Sequence, residues 1–420
     1  MQNVKKFSNG VTLVHTQIPA VKSVAIGIFV KVGSSAETDK TNGIAHFIEH
    51  MLFKGTTKRN AYQLVSEIED IGAVINASTS KEVTNYYTSS LSEHAEECMD
   101  ILSDIFFNST FPVEEMEKEK NVVIEEIAMC NDTPDDVCME IAASAFFSDN
   151  AYGRTILGPA ENIKRFTEAD IREFMSKYYT ADSTVIAIAG EMDFDTAVSL
   201  TDTYFTQKFG DKKQDEIIIE QNYPKQRYVN KEKDIEQSNV AIAFPAFPYG
   251  SEHETSLLVL NIVLGSSMSS RLFQKVREEK GYAYSIYSYP CTYTKDGYFL
   301  IYFGSAKEKV EDALVTIKTE LDLFLRDGIT DVELKRAKEQ LKSSFVMSRE
   351  NTKGVMSVSG RSYLLRGYVH DIEEQLKMVE SVTKENVMDT AKRIFDYDKV
   401  TLSYVGQDVD EGLLKIFLKG

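Results

Sequence analysis

Two hydrophobic periods take turns along the chain. The short runs Val11–Thr16, Val24–Val32, Val74–Ser78, Glu82–Leu91 and Thr184–Ala189 are rich in β-branched and aromatic residues and predict strands. The longer segments Gly43–Phe53, Ala61–Ile71, Ala95–Phe107, Val113–Met129, Asp136–Phe147 and Glu168–Tyr178 repeat apolar residues at three- and four-residue spacing and predict helices. The first four strands fall in a hairpin-like order. Clustered strands with long helices between them predict an α+β architecture, each domain a mostly antiparallel sheet with helices packed on one face. No G-x-G-x-x-G follows a predicted strand, which excludes a dinucleotide site.

The pattern occurs twice. Thr167-Glu-Ala-Asp170 opens a helical stretch that leads into a strand ending at Gly190, and Thr383-Lys-Glu-Asn386 opens a second one ending at Gly406. Both the Thr pair and the Gly pair are 216 apart. Thr at an N-cap and Gly closing a strand are common singly, but here their order and offset repeat together. Towards the front of each half, a strand, a loop, a helix and a glycine recur at an offset of 210, from Gly55 to Gly265. The expected organisation is a domain over residues 1–210, a linker over 211–229 and a second domain of the same fold over 230–420. Ile217–Ile219 reads as a short strand within the linker.

Composition removes whole classes of function. With 43% hydrophobic and 27% charged residues, the chain is neither a disordered tail nor a membrane bundle. Its longest apolar stretch near the N-terminus, Ala25–Val30, is far short of the ~20 residues that span a bilayer, and no signal-peptide pattern precedes it. The cytoplasm is the expected compartment. Lys and Arg number 47 against 65 Asp and Glu, and a net charge of −18 repels phosphate backbones, so no nucleic-acid partner is expected. Four cysteines without C-x-x-C spacing argue against a thiolate zinc site.

The chemistry concentrates in one pentapeptide, His46-Phe-Ile-Glu49-His50, which holds two of the six histidines. Random placement of these residue types gives roughly 0.007 such patterns in a chain of this length. The surrounding residues have no helix breaker, and on a helix His46 and His50 at i and i+4 share a face and can hold one ion. Glu49 lies beside them, within reach of a water in the same place. H-x-x-E-H is among the known catalytic zinc motifs. A catalytic zinc takes a third protein ligand and keeps a position open. His94 is one candidate for that ligand, and the acidic helix at Glu114–Met129 offers a better one. There Glu119, Val123, Glu126, Ile127 and Cys130 follow helical spacing along a largely apolar stripe, with Glu125 about a third of a turn away. A carboxylate on an apolar face is costly unless paired or metal-bound, so Glu126 is the expected ligand. Glu119, two turns earlier, is the expected partner of an imidazole N–H.

The pentapeptide and the acidic helix together resemble the M16 family of zinc peptidases, which includes pitrilysin, insulin-degrading enzyme and mitochondrial processing peptidase. The size resembles the short two-domain members related to the β subunit of the processing peptidase (subfamily M16B). In that family a Glu follows the second His by about 76 residues within E-x-E-x-x-V-x-x-x-E, and Glu117-Lys-Glu119-Lys-Asn-Val122-Val-Ile-Glu-Glu126 matches it. The resemblance implies an endopeptidase with one zinc per chain on His46, His50 and Glu126 and Glu49 as general base. It implies that Asn76, Ala77 and Ser78 lie on an edge strand that pairs with an extended peptide. Arg277 and Tyr284, seven residues apart, resemble the family's pair that holds the substrate backbone and the oxyanion; Tyr282 competes with Tyr284 for that role. At the 210 offset His46, Glu49 and His50 fall on Ser256, Val259 and Leu260, so the second domain lacks the metal site. Complete peptidases of the family enclose peptides or unfolded segments between two such units. One chain of this length therefore implies a homodimer in which Arg277 and Tyr284 face the partner's site. A presequence-processing peptidase and a non-catalytic core subunit are the alternatives within the same resemblance.

Overall fold

The computed structural model describes residues 2–148, 150–210, 212–219, 227–407 and 411–418. The chain divides into two compact units. Met1–Ile127, Arg154–Ile218 and Met347–Asp371 form the first, and Ala128–Gly153, Ile219–Val346 and Ile372–Gly420 form the second. Each unit thus takes one segment from the opposite half of the sequence.

The first unit is built on six strands, β1 (Gln2–Lys6), β2 (Thr12–Gln17), β3 (Ser23–Val30), β4 (Val74–Thr79), β5 (Thr84–Leu91) and β6 (Thr184–Gly190), in the order β1-β2-β6-β3-β5-β4. All pairings are antiparallel except β2 with β6. The hairpin-like order expected for the early strands holds for β4 with β5, whereas β6 inserts between β2 and β3. The reason is its composition: every residue from Thr184 to Gly190 is buried, so this strand belongs in a sheet interior, flanked on both sides.

Burial on two faces also organises the layers. Val24, Ile26, Ile28, Ile186 and Ile188 face a core shared with Phe47, Ile48, Leu102 and Ile105. Those last four lie on the helices α1 (Ile44–Met51) and α3 (Ala95–Asn108), and α2 (Ala61–Asp70) and α4 (Val113–Asp132) complete the early helical set. The alternate residues Ala25, Phe29, Val185 and Ala187 pack against Val355 and Met356 on the opposite face. The helix Thr352–Arg366 thereby covers the second face of the sheet, in addition to the expected layer on the first. It approaches so closely that a Cβ on Gly360 would lie 2.3 Å from the Phe29 ring.

The second unit repeats the plan with β7 (Arg227–Glu232), β8 (Gln237–Ala246), β9 (Ser285–Thr292), β10 (Gly297–Ala306) and β11 (Thr401–Gly406), ordered β7-β11-β8-β10-β9. This is the order β2-β6-β3-β5-β4 over again, including its single parallel pair. Thr167 and Thr383 both close capping boxes, with Asp170 and Asn386 respectively, as their matched positions predict. Here the second face of the sheet is covered by the helix Pro134–Phe147, whose Val137, Cys138, Ala142 and Phe146 pack on Ala241, Ala243 and Val405. Of the expected linker, residues 211 and 220–226 lie outside the described residues. Ile217–Ile219 is irregular rather than a strand and pairs with no strand among the described residues. No helix among the described residues is long and apolar enough to cross a membrane.

Candidate metal centre

The helix α1 buries Ile44, Ala45, Phe47, Ile48 and Met51 in the first core, and this leaves His46, Glu49 and His50 along its remaining side. On α4, Val123 is fully buried and Glu126 half-buried, and Glu125 points to solvent. The two helices bring three ligand atoms together. His46 Nε2 and His50 Nε2 are 3.3 Å apart, and Glu126 Oε2 lies 3.8 Å from the first and 3.6 Å from the second. A tetrahedral zinc with bonds of ~2.0–2.1 Å separates its ligand atoms by ~3.3–3.4 Å, so this triangle fits one face of such a site and leaves the fourth corner open. Two imidazoles and a carboxylate are also a donor set that zinc takes. Among the described residues this is the one group of three or more His, Cys, Asp or Glu able to hold an ion. His94, the alternative third ligand, stands apart from it, with Nδ1 3.4 Å from Glu97 Oε1.

The two imidazoles are tuned in opposite directions. Burial, with His50 beside it, pushes His46 down to about 4, so its ring is neutral and offers a lone pair. Burial also pulls His50 down, but the hydrogen bond and charge of Glu119, with Glu126 and Glu49 nearby, outweigh it and hold His50 above the usual range. His50 Nδ1 donates to Glu119 Oε1 at 2.7 Å, which leaves Nε2 facing the other ligands. Glu119 is itself buried, yet His50 and the Lys54 ammonium 2.6 Å from its Oε2 hold it below the usual carboxylate range. His46 is held differently: its Nδ1 is buried with no hydrogen-bond partner among the described residues, and only its Nε2 meets polar groups, those of His50 and Glu126.

Glu49 stands beside the triangle. Burial raises its carboxyl, against a hydrogen bond that Thr79 Oγ1 donates to its Oε2 at 2.5 Å. A carboxylate raised towards neutrality is suited to accept and return a proton. Thr79 ends β4, an edge strand whose residues alternate exposed and half-buried from Val74 to Thr79. Ile75, Ala77 and Thr79 form the half-buried row, and Asn76 and Ser78 the exposed one. The Ala77 N–H is taken by the Asn76 side chain (2.8 Å), so it is not spent on β5. Thr79 and Lys54 escaped the sequence reading. Lys54 lies past the end of α1 at Met51 and Thr79 on a strand remote in sequence, so helical spacing nominates neither.

Arg277 and Tyr284 lie in the second unit. Phe273–Glu279 is a π-helical turn, and it sets the Arg277 guanidinium 4.8 Å from the Phe273 ring centre and 5.6 Å from that of Tyr284. Tyr284 is 79% exposed, whereas Tyr282 packs against the core of its unit. Ser256, Val259 and Leu260 are buried on the helix Glu254–Leu264 and offer no imidazole or carboxylate.

Known proteins place this geometry in context. The family profile described as insulinase (peptidase family M16) matches residues 12–160, and the one described as peptidase M16 inactive domain matches residues 165–341. The uncharacterized zinc protease YmxG of Bacillus subtilis (strain 168) is 39% identical over 94% of this chain and 96% of its own length. An uncharacterized zinc protease of Rickettsia felis is 36% identical over 94% of this chain and 95% of its own. Two solved structures share the fold at 20% identity. One is a peptidase M16 inactive domain from Pseudomonas fluorescens (TM-score 0.91, covering 97% of this chain and 98% of the other). The second is a protease from Helicobacter pylori (TM-score 0.89, 97% and 99%).

Proposed function

The chain belongs to the insulinase family, peptidase family M16, and from that premise we propose that it is a zinc-dependent endopeptidase that cleaves peptides and unfolded segments within a homodimeric chamber, one zinc per chain. The observation that carries this reading is the triangle of His46, His50 and Glu126 ligand atoms with the raised Glu49 carboxyl beside it. When bound, zinc supplies a Lewis acid that lowers the pKa of a water towards ~7 and polarises the scissile carbonyl.

The chain's own residues do the rest. An extended peptide adds to the free edge of β4 at Asn76, Ala77 and Ser78, where backbone pairing asks little of the peptide sequence. Thr79 holds one oxygen of Glu49, and the other takes a proton from the attacking water and returns it to the leaving amine. Glu119 keeps the His50 ring in the tautomer that turns Nε2 inward. Arg277 steadies the exposed Tyr284 ring, and from the partner subunit the pair holds the substrate backbone and donates to the oxyanion, an effect worth ~3 kcal/mol.

The test is cleavage of a quenched, unstructured peptide of about 10–20 residues, with and without chelator. Chelator stops cleavage and zinc restores it. Glu49→Gln keeps its zinc and loses ~10³-fold or more in kcat. Full activity in that variant overturns the general-base assignment, and cleavage indifferent to chelator overturns the metal.

A further inference from the structure

We propose that Glu37 is a positioning residue: its carboxylate fixes the N-terminus of the metal-binding helix α1 and ties it to the β4–β5 turn, so that His46 and Glu49 meet the ion and the peptide strand in one register. The inference rests on the metallopeptidase reading above. Glu37 touches none of the reacting atoms, and it is only 3% exposed.

A helix leaves its first N–H groups without intrahelical partners, and a side chain at the N-cap usually answers them. Here the N-cap is Gly43, which has φ +99° and sits so close to the 155–158 loop that a Cβ would lie 2.5 Å from Leu157 O. No capping side chain fits there. Glu37 supplies the acceptor from six residues upstream: Oε2 accepts from Gly43 N (2.9 Å) and Asn42 Nδ2 (2.8 Å), and Oε1 from Ala45 N (2.8 Å). Its charge also opposes the positive end of the helix dipole. The next residue after Ala45 is His46.

The same stretch holds the turn. Ser34 N donates to Ser80 O (3.2 Å) and Ser35 N to Lys81 O (2.8 Å), and the preceding residue of that turn is Thr79, which holds Glu49. Arg154 Nη1 donates to Glu37 O (2.8 Å), Asn42 Nδ2 also reaches Thr155 O (2.7 Å), and Lys81 Nζ bonds Arg154 O. The contacts close a ring: helix N-terminus, Glu37, Ser34–Ser35, Ser80–Lys81, Thr79, Glu49 and back to the helix. All three hydrogen bonds to the Glu37 carboxylate come from N–H donors, so the position requires an acceptor rather than merely a polar residue.

The experiment compares the full-length wild type with Glu37→Ala and Glu37→Gln. Zinc affinity is read by competition with a chromophoric chelator, the ligand field by the visible spectrum of the cobalt(II)-substituted protein, and folding by melting of the metal-free chain. Glu37→Ala is expected to weaken zinc ~10-fold or more, to shift the cobalt bands and, at saturating zinc, to lower kcat more than it raises KM. Glu37→Gln, with one acceptor oxygen left, falls between Ala and wild type. A purely structural role would lower the melting temperature and leave the folded protein's zinc affinity and cobalt spectrum unchanged, and that result overturns the proposal. If Glu37→Ala does not fold, the Gln variant decides by the same two readouts. A wild type that binds no zinc overturns the metallopeptidase reading instead.

Discussion

At Glu119 two donors converge on one buried carboxylate, His50 through Nδ1 and Lys54 through Nζ. The His50 contact sets which ring nitrogen faces the ligand triangle, and the Lys54 contact keeps Glu119 ionised. Removing the charge while keeping the shape, as in Glu119→Gln, is expected to weaken zinc ~10-fold, and Glu119→Ala, which also leaves Lys54 unpaired, up to ~100-fold. Chelator competition measures both. A second residue-scale consequence concerns Glu37, whose carboxyl burial pushes up to about 7. A raised carboxyl binds its proton more tightly in the folded chain, so the ionised form that caps α1 is held at a cost in stability that grows as pH rises from about 4.5 through 7. Without metal, wild type should lose up to about 3 kcal/mol relative to Glu37→Gln across that window, read as the difference between their denaturation curves at pH 4.5 and 8. His46, His50, Glu126 and Glu119 were legible in the sequence because i, i+3, i+4 and i+7 spacings fix which side chains share a helical face. Thr79 and Glu37 were not assigned, since they act on α1 from outside it.

The informative elements are the edge strand and the exchanged helices. On β4 the Ala77 N–H is not spent on β5, and proline is tolerated on an edge strand where the N–H faces away from the ladder. Ala77→Pro should therefore leave the fold and zinc affinity intact and raise the KM for peptides about tenfold, the cost of one lost hydrogen bond. An unchanged KM, or a loss of zinc, would exclude β4 as the strand that pairs with substrate. Helix and strand types were readable from period, down to the Thr167 and Thr383 caps, because capping boxes are local chemistry. The destination of Pro134–Phe147 and Thr352–Arg366 was not. A helical period marks a face as buried without saying which sheet buries it. The continuous apolar runs of β3 and β6 did signal that a second cover was needed.

For the whole molecule, both units share one strand order, and the proposed roles put the metal ligands in the first unit and Arg277 and Tyr284 in the second. On the proposed homodimer, mixing Glu49→Gln with Tyr284→Phe chains discriminates the arrangements. If Arg277 and Tyr284 serve the partner's site, each mixed dimer has one site with both residues intact, and mixing restores about a quarter of wild-type activity. If they serve their own chain's site, or if chains do not associate, mixing restores nothing. The sequence by itself determined the α+β class, the duplication and the ligand spacing, because these follow from periods and offsets within a few turns of chain. Tertiary structure alone decided that β6 enters between β2 and β3, that each sheet borrows a helix from the other half, and that Glu37 and Thr79 reach α1. Those contacts join segments remote in sequence, and packing selects such partners by shape and by unmet hydrogen bonds, which a linear pattern does not carry.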